Sequence, residues 1–516
     1  MRFPKSTNLF SIGIALIFFI VIILLRPIWA DISHFLGTQI PVMVIAALFG
    51  LLCFIFNLFL YRKIRVDSKI SHGSLSILIF TNLIMISLLI ILIIELKSES
   101  IMIVRNAAKY LPPAIWFTAA GLLFLKAPRI ERFKNLKFRI IILACFIITA
   151  GLWISTPMFF SIKSGPELFV QQDGYTIAWE TNMPAIGHLD YGSDTNLGET
   201  LLDQSHGLRD LEEGIQSVFL SNDESVQDLY MQATSEGIRK LFSTSAVKTR
   251  QVSSGLTHIK FPIDSENISF VAFSDIHERT NLYNKLSEHI PWVEMDYAVY
   301  IGDLLNNIDD ANQSANTILN LPTGSQQIPR MLVRGNHETR GPKARDLSEW
   351  LLPPNGNWYF TFETNGLFFI ILDSGEDKPD SHTEYAGLVD FSTYHQEQAA
   401  WLEKVFISPE YLNSKAQIIL VHIPPFRQEE LPEFSPVVDL LKKQENIDLI
   451  MSGHIHRSGI WLQEDTGFPY PITTCGGSSS DNMAAITVEV RAEELMLQII
   501  NIQGEVIEES KVQIRP

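Results

Sequence analysis

Five short apolar segments in the second half of the chain end at side chains that can bind metal ions. In chain order these side chains are Asp275 and His277, Asp303, Asn336 with His337 and Glu338, His422, and His454 with His456. Carboxylate, imidazole and amide oxygen ligands suit Mn, Fe or Zn, and the set contains no thiolate. Two metal ions need about seven protein ligands when one of these ligands bridges both ions. Each residue alone would more simply be a hydrogen-bonded polar group at a strand end.

The apolar segments have the pattern of buried strands that alternate with helices. We expect strands at 268–274, 296–301, 330–334, 416–421 and 447–452, with helices at 281–290 and 396–406. Near-continuous apolar strands separated by helices indicate an α/β fold. The ends of such strands meet at one edge of a sheet, so the polar residues that follow them should lie together.

These motifs, in this order, resemble the calcineurin-like metallophosphoesterases. The motifs are D-x-H at 275–277, G-D at 302–303, G-N-H-E at 335–338, a single His422 and G-H-x-H at 453–456. The resemblance implies that 266–516 is an α/β metallophosphoesterase domain, a four-layer sandwich with two mixed sheets. It also implies hydrolysis of phosphate mono- or diesters by a hydroxide held between two divalent metal ions (Mn, Fe or Zn).

The resemblance also assigns roles to single residues. Asp275, His277 and His456 would bind one metal ion, Asn336, His422 and His454 the other, and Asp303 would bridge them. His337 would stabilise charge on the phosphate or protonate the leaving oxygen. Glu338 would orient an imidazole or contact metal-bound water.

Within the family, the layout is similar to that of purple acid phosphatases, with two departures. Asn306 stands where those enzymes carry a tyrosine ligand, and His277 replaces the glycine of their D-x-G motif. We therefore expect a colourless or weakly coloured enzyme. Arg340, His382, Arg427 and Arg457 lie near the motifs, and Arg340 and Arg457 are the candidates for substrate binding. The sequence leaves the choice between phosphomonoesters and phosphodiesters open.

Residues 164–265 have the pattern of a small β-sandwich. The segments 175–181 and 185–192 alternate apolar and polar side chains, and further short strands are expected near 216–220 and 256–262. We expect a fibronectin III-like sandwich that is similar to the N-terminal domain of purple acid phosphatases.

Residues 1–163 contain five apolar runs, at 9–25, 40–60, 75–94, 111–125 and 140–160. Most approach the ~20 residues with which a helix crosses a bilayer, so we expect a membrane domain of about five transmembrane helices. The fourth run is short and begins with Pro112-Pro113, so it is alternatively a re-entrant segment. The first run is alternatively a signal peptide ending at Ala30.

Charge indicates the orientation of the membrane domain. With the N-terminus inside, the inner segments 1–8, 61–74 and 126–139 carry 12 basic residues and the outer ones 5. The positive-inside rule then places the catalytic domain outside the cytoplasm, on a plasma or inner membrane. The remainder of the chain has 23 basic and 52 acidic residues, so we expect no binding of nucleic acid.

Two other functions are open at this point. One is a metal-binding sensor or binding protein without turnover. The other is a lipid- or substrate-handling membrane protein in which 1–163 does the main work. The complete set of motif residues favours a phosphoesterase, because binding proteins derived from such enzymes usually lose a ligand or the G-N-H histidine.

Overall fold

The computed structural model describes residues 160–515 except 205–206, 210–213, 223–226, 243–244, 263–266, 325–326, 353–355 and 429–430. The predicted membrane domain, 1–163, lies outside the described residues except for residues 160–163. Within the described part, the helices are too short or too polar to cross a membrane. The described residues within Leu152–Lys240 and Ala246–Pro516 form one compact unit.

Twenty strands and seven α-helices make up the described part. The first eight strands are β1 (Ile162–Gln171), β2 (Gly174–Thr181), β3 (Ala185–Gly192), β4 (Glu199–Leu202), β5 (Ile215–Ser221), β6 (Asp228–Phe242), β7 (Ser245–Ser253) and β8 (Thr257–Lys260). The next seven are β9 (Ile268–Phe273), β10 (Tyr297–Ile301), β11 (Arg330–Val333), β12 (Phe360–Thr364), β13 (Leu367–Leu372), β14 (Ala416–Val421) and β15 (Leu449–Ser452). The last five are β16 (Gly459–Trp461), β17 (Ile472–Thr474), β18 (Ala484–Val490), β19 (Glu494–Asn501) and β20 (Val506–Gln513). The helices are α1 (Thr280–Ser287), α2 (Ala311–Leu319), α3 (Leu347–Leu351), α4 (Phe391–Val405), α5 (Pro409–Asn413), α6 (Ser435–Lys443) and α7 (Gln463–Thr466).

Two mixed sheets carry the motif residues. The first has nine strands in the order β20-β19-β18-β9-β10-β11-β1-β2-β5, and β9, β10 and β11 run parallel. The second has six strands in the order β12-β13-β14-β15-β17-β16, of which β13, β14, β15 and β17 run parallel. Its hairpin β12–β13 turns at Asn365-Gly366, where both residues have positive φ, as a two-residue turn of this type requires.

Side chains that point alternately to the two faces of each strand show that the sheets form a layered sandwich. In β9, Phe270 and Ala272 pack in the core between the two sheets, whereas Val271 and Phe273 pack with helix residues such as Leu286. In β13, Phe369 faces the same central core, and Phe368, Ile370 and Leu372 pack with α4 and α6 on the other side. Helices therefore cover the outer face of each sheet, which confirms the predicted α/β sandwich with mixed sheets.

The segment predicted as a separate β-sandwich divides between two sheets. Strands β4-β3-β6-β7, with β8 beside β6, form a five-stranded sheet. Strands β1, β2 and β5 instead extend the nine-stranded sheet, where β1 pairs in parallel with β11 at Phe169 and Arg330. At this junction the buried Arg330 guanidinium lies 2.7 Å from the Glu167 carboxylate. Part of the predicted sandwich is thus continuous with the nine-stranded sheet that carries Asp275, Asp303 and Asn336. The domain boundaries of 1–163, 164–265 and 266–516 stay predictions.

Candidate metal centre

The seven predicted ligands lie together where five strands end. Asp275 and His277 follow β9, Asp303 follows β10, Asn336 follows β11, His422 follows β14, and His454 and His456 follow β15. The first three strands belong to the nine-stranded sheet and the last two to the six-stranded sheet. The site therefore occupies the edge at which the two sheets meet, as expected for residues at carboxyl ends of strands.

The first group contains Asp275, His277 and His456. The two imidazole Nε2 atoms are 3.1 Å apart, and Nε2 of His456 is 3.2 Å from Asp275 Oδ1. The ligand atoms of all three side chains lie within 4.8 Å of one another, a spacing at which one metal ion could contact them together. The neighbouring Asp275 carboxylate raises the pKa of His456, whereas burial lowers that of His277.

The second group contains His422, His454 and Asn336. Oδ1 of Asn336 lies 3.1 Å from Nε2 of His422 and 3.1 Å from Nδ1 of His454. His422 uses its other nitrogen, Nδ1, in a 2.7 Å hydrogen bond with the carbonyl oxygen of Ile301, which directs Nε2 into the site. Burial and the neighbouring His422 lower the pKa of His454 to about 4, so this imidazole is neutral at pH 7.

Asp303 connects the two groups. Its Oδ2 atom lies 3.1 Å from Nε2 of His422 and 3.7 Å from Nε2 of His277. Burial acts to raise the pKa of Asp303, but the charge of His422 and its hydrogen bond outweigh burial and lower that pKa. Burial likewise opposes the charge on His422, and the Asp303 carboxylate nevertheless raises the pKa of His422 to about 10.

The residues present fit a pair of metal ions. The side chains offer three carboxylate or amide groups and four imidazoles, with no positively charged Lys or Arg among them. Oδ1 of Asp275 is buried and makes no hydrogen bond of acceptable geometry, although His456 Nε2 is close. A buried carboxylate oxygen without a donor is costly, and a cation between Asp275 and the facing imidazoles would satisfy it.

The backbone at the ligands adopts a conformation that the sequence did not predict. Asp275, His277, Asp303, His454 and His456 all have positive φ, between 47° and 66°. Non-glycine residues seldom occupy this left-handed region, and such strain concentrates at functional sites. The five ligands are thus held by their loops in orientations that a relaxed chain would rarely choose.

The glycines beside the ligands have two different roles. Gly302 has a φ of 76°, a left-handed conformation that lets the chain turn sharply after β10. Gly335 and Gly453 instead allow close approach. A Cβ on Gly335 would lie 2.3 Å from Asp303 Oδ1, and one on Gly453 would lie 1.8 Å from Ser274 Oγ.

The resemblance implied that Glu338 orients an imidazole or contacts metal-bound water. In the structure, its carboxylate instead connects two backbone segments. Its Oε2 atom accepts hydrogen bonds from the backbone N–H groups of Asp303 and Gly335 at 2.8 and 2.9 Å, and Oε1 accepts from Leu305 N–H at 3.0 Å. The buried carboxylate therefore ties the loop that follows β10 to the loop that follows β11. Burial and the nearby Asp303 charge raise the pKa of Glu338 to about 7.

His337 lies at the open side of the site. Its Nδ1 atom donates to the carbonyl oxygen of Asn306 at 2.7 Å, and Nε2 is 3.9 Å from Asp303 Oδ2 and 3.3 Å from Arg340 Nη1. The Asn306 side chain donates to Glu278 Oε2 at 2.6 Å. Asn306 thus holds His337 in place through its backbone, a contact for which the sequence carries no signal.

The arginines proposed for substrate binding have different surroundings. Arg340 forms a two-point ion pair with Glu376 at 3.0 and 2.7 Å, beside His337. Arg427 and Arg457 line a surface pocket that His454 also lines. His382 contacts Glu384 rather than the predicted ligands.

Comparisons with known proteins agree with this geometry. Residues 268–458 match the sequence model of the family described as calcineurin-like phosphoesterase. Purple acid phosphatase 23 of Arabidopsis thaliana is 26% identical over 165 residues, which is 30% of this chain and 33% of that protein. Serine/threonine-protein phosphatase CPPED1 of Mus musculus is 26% identical over 145 residues, 26% of this chain and 43% of that protein.

One similar solved structure is a purple acid phosphatase, PPD1, from yellow lupin (Lupinus luteus) seeds. It aligns with a TM-score of 0.48 at 16% identity, over 67% of this chain and 74% of that chain. The chain spans about a third to two fifths of the curated relatives' length. The family match covers all seven predicted ligands and His337, and residues 268–458 are thus similar in sequence to the calcineurin-like phosphoesterases.

Proposed function

We propose that this protein hydrolyses phosphate mono- or diesters with the help of two divalent metal ions (Mn, Fe or Zn). The observation that carries the proposal is the meeting of seven metal-binding side chains from five strand ends, with Asp303 between two groups of them. A purely structural role would not need five of these residues in a strained backbone conformation.

The two groups define which residues would hold each ion. Asp275, His277 and His456 would hold one, Asn336, His422 and His454 the other, and Asp303 would contact both. When bound, two such ions supply Lewis acidity toward the phosphate oxygens and toward the attacking water.

The chain's own residues orient the substrate and move a proton. Because Nδ1 of His337 is occupied by the Asn306 carbonyl, Nε2 is the atom that faces the site. A proton carried on Nε2 can stabilise a phosphate oxygen or pass to the departing oxygen. The ion pair with Glu376 fixes Arg340 beside His337, where its remaining N–H groups can contact a phosphate oxygen.

We also propose that residues 1–163 anchor the protein in a membrane, with the catalytic domain on the extracytoplasmic side. The long uncharged runs and the excess of basic residues in alternate loops support this arrangement. If it holds, the full-length chain stays in the membrane fraction after an alkaline wash, and protease digests residues 164–516 in unlysed cells whose outer membrane and wall, if any, have been removed. A catalytic domain protected in such cells and cleaved only after lysis would contradict the orientation.

Catalysis is tested with the full-length chain loaded with Mn²⁺ and a panel that includes phenyl phosphate and bis(p-nitrophenyl) phosphate. We expect hydrolysis that Asp303→Asn abolishes and that the matched variant Asp228→Asn, in the five-stranded sheet, leaves intact. If the protein binds metal but hydrolyses no member of the panel, the metal-binding sensor or binding protein becomes the better account.

A further inference from the structure

A surface pocket opens beside the metal centre and shares one residue with it. The pocket is lined by Phe426, Arg427, His454, Ile455, Arg457 and Trp461 and has a volume of about 470 Å³. His454 is also a member of the second ligand group. A substrate whose phosphate lies at the metal centre could therefore extend directly over His454 into this pocket.

The pocket contains two guanidinium groups, those of Arg427 and Arg457. Within the described residues, neither Arg427 nor Arg457 forms an ion pair, in contrast to Arg340, which Glu376 neutralises. The chain as a whole is strongly acidic, with 57 acidic and 40 basic residues. The two guanidinium groups at the mouth of the site therefore favour the binding of an anion.

Arg457 is held in position by its neighbours. Its guanidinium lies 4.9 Å from the centre of the Trp461 ring. The indole N–H of Trp461 donates to the buried Thr474 hydroxyl at 2.9 Å, and that hydroxyl donates to the Arg457 carbonyl oxygen at 2.7 Å. Thr474 therefore fixes both the ring of Trp461 and the backbone of Arg457. An arginine held on an aromatic face keeps its N–H edge free for an anion.

Two aromatic rings complete the pocket. Phe426 and Trp461 lie 6.0 Å apart between ring centres at an angle of 53°. Both rings are only partly buried, so they offer apolar area to a ligand. Small-molecule sites commonly combine such apolar walls with a few placed charges.

From these contacts we propose that the pocket is a leaving-group subsite for phosphoesters whose leaving group carries a second anionic group on a flat or apolar body. Arg427 and Arg457 bind the second anion, and Phe426 with Trp461 packs against the apolar part. This inference rests on the proposed phosphoesterase function, because it assigns the substrate class of the same site.

The test measures binding, so it does not depend on turnover. The full-length chain with Mn²⁺ is titrated calorimetrically with phenylphosphonate and with para-phenylene bisphosphonate, which differ in the second anionic group. Because a charge-assisted hydrogen bond contributes about 1.5–3 kcal/mol, we expect the bisphosphonate to bind at least about tenfold more tightly. Arg427→Ala and Arg457→Ala should each remove most of that advantage.

Arg491→Ala is the matched control, since it removes one exposed arginine that pairs with Glu489 on the β18–β19 hairpin. It should leave the ratio of the two dissociation constants unchanged. Equal binding of the two phosphonates, an advantage that survives in both pocket variants, or failure of both ligands to bind would overturn the proposal. Preferential binding of the bisphosphonate without hydrolysis of any phosphoester would instead contradict the proposed function and leave the subsite standing.

Discussion

Replacing Arg330 with methionine tests whether the β1–β2–β5 strands are an integral part of the catalytic sheet. The Arg330 guanidinium lies 2.7 Å from the Glu167 carboxylate and donates to the carbonyl oxygens of Ile318 and Leu321 at 3.1 and 2.9 Å. Methionine keeps an aliphatic chain but leaves a buried carboxylate and two carbonyls unpaired. Breaking a buried pair in this way costs about 3–5 kcal/mol, and we expect the free energy of unfolding to fall by that amount.

The double variant Glu167→Leu with Arg330→Met distinguishes the free-energy cost of losing the ion pair from the cost of leaving the buried Glu167 carboxylate without a partner. It removes the buried carboxylate too, so we expect it to be at least about 2 kcal/mol more stable than Arg330→Met alone. Burial raises the pKa of Glu167, and loss of Arg330 should raise it further. A protonated carboxyl is tolerated in the core. The loss of stability caused by Arg330→Met should therefore be complete above the pKa of Glu167 in the variant and become smaller as pH falls below that pKa.

Urea unfolding of the full-length chain, followed by tryptophan fluorescence at several pH values, measures these differences. Arg491→Met, in an exposed pair with Glu489, is the matched control and should leave stability unchanged. A loss below about 1 kcal/mol for Arg330→Met, or a double variant no more stable than the single one, would refute the reasoning.

Three further predictions concern the metal centre. Asp303 raises the pKa of His422 to about 10, and a metal ion requires the neutral imidazole, so Mn²⁺ binding should release a proton and strengthen as pH rises from 6.5 to 8.5. Calorimetry in buffers of different ionisation enthalpy would detect the released proton. An affinity for Mn²⁺ that does not depend on pH would contradict this prediction. Gly453→Ala places a Cβ 1.8 Å from Ser274 Oγ, so we expect lower metal affinity and a lower melting temperature; wild-type values for both would show that the loop adapts. His337→Ala should lower kcat by about 10²–10⁴-fold while metal content stays unchanged, and a variant that loses metal instead would make His337 a ligand.

The sequence predicted the strand ends and the grouping of the polar side chains that follow them, because both depend on local patterns. The strands that precede Asp275, Asp303 and His422 are largely buried apolar runs, and each ends one or two residues before the polar residue that the prediction named. The turn at Asn365-Gly366 also depends on a local pattern, since it needs positive φ at both residues. Strands in α/β folds bring their ends together, so local signals were enough to group the ligands.

The parts that the sequence did not predict depend on contacts between distant residues. Arg330 and Glu167 are far apart in the chain, and neither carries a local sign that β1 would join β11. Arg340 was predicted as a substrate residue, but only the fold shows that Glu376 already occupies much of its guanidinium. Arg427 follows β14 and Arg457 follows β15, and their shared pocket exists only because those strands are neighbours.

The most direct test of the metal centre is the number of ions bound per chain. The full-length protein, His454→Ala and His456→Ala would be dialysed against Mn²⁺ and analysed by atomic emission spectroscopy. The arrangement of the two ligand groups predicts two ions in the wild type and one in each variant, because each histidine belongs to a different group. A wild type that binds no more than one ion, or variants that both keep two, would contradict the dinuclear centre.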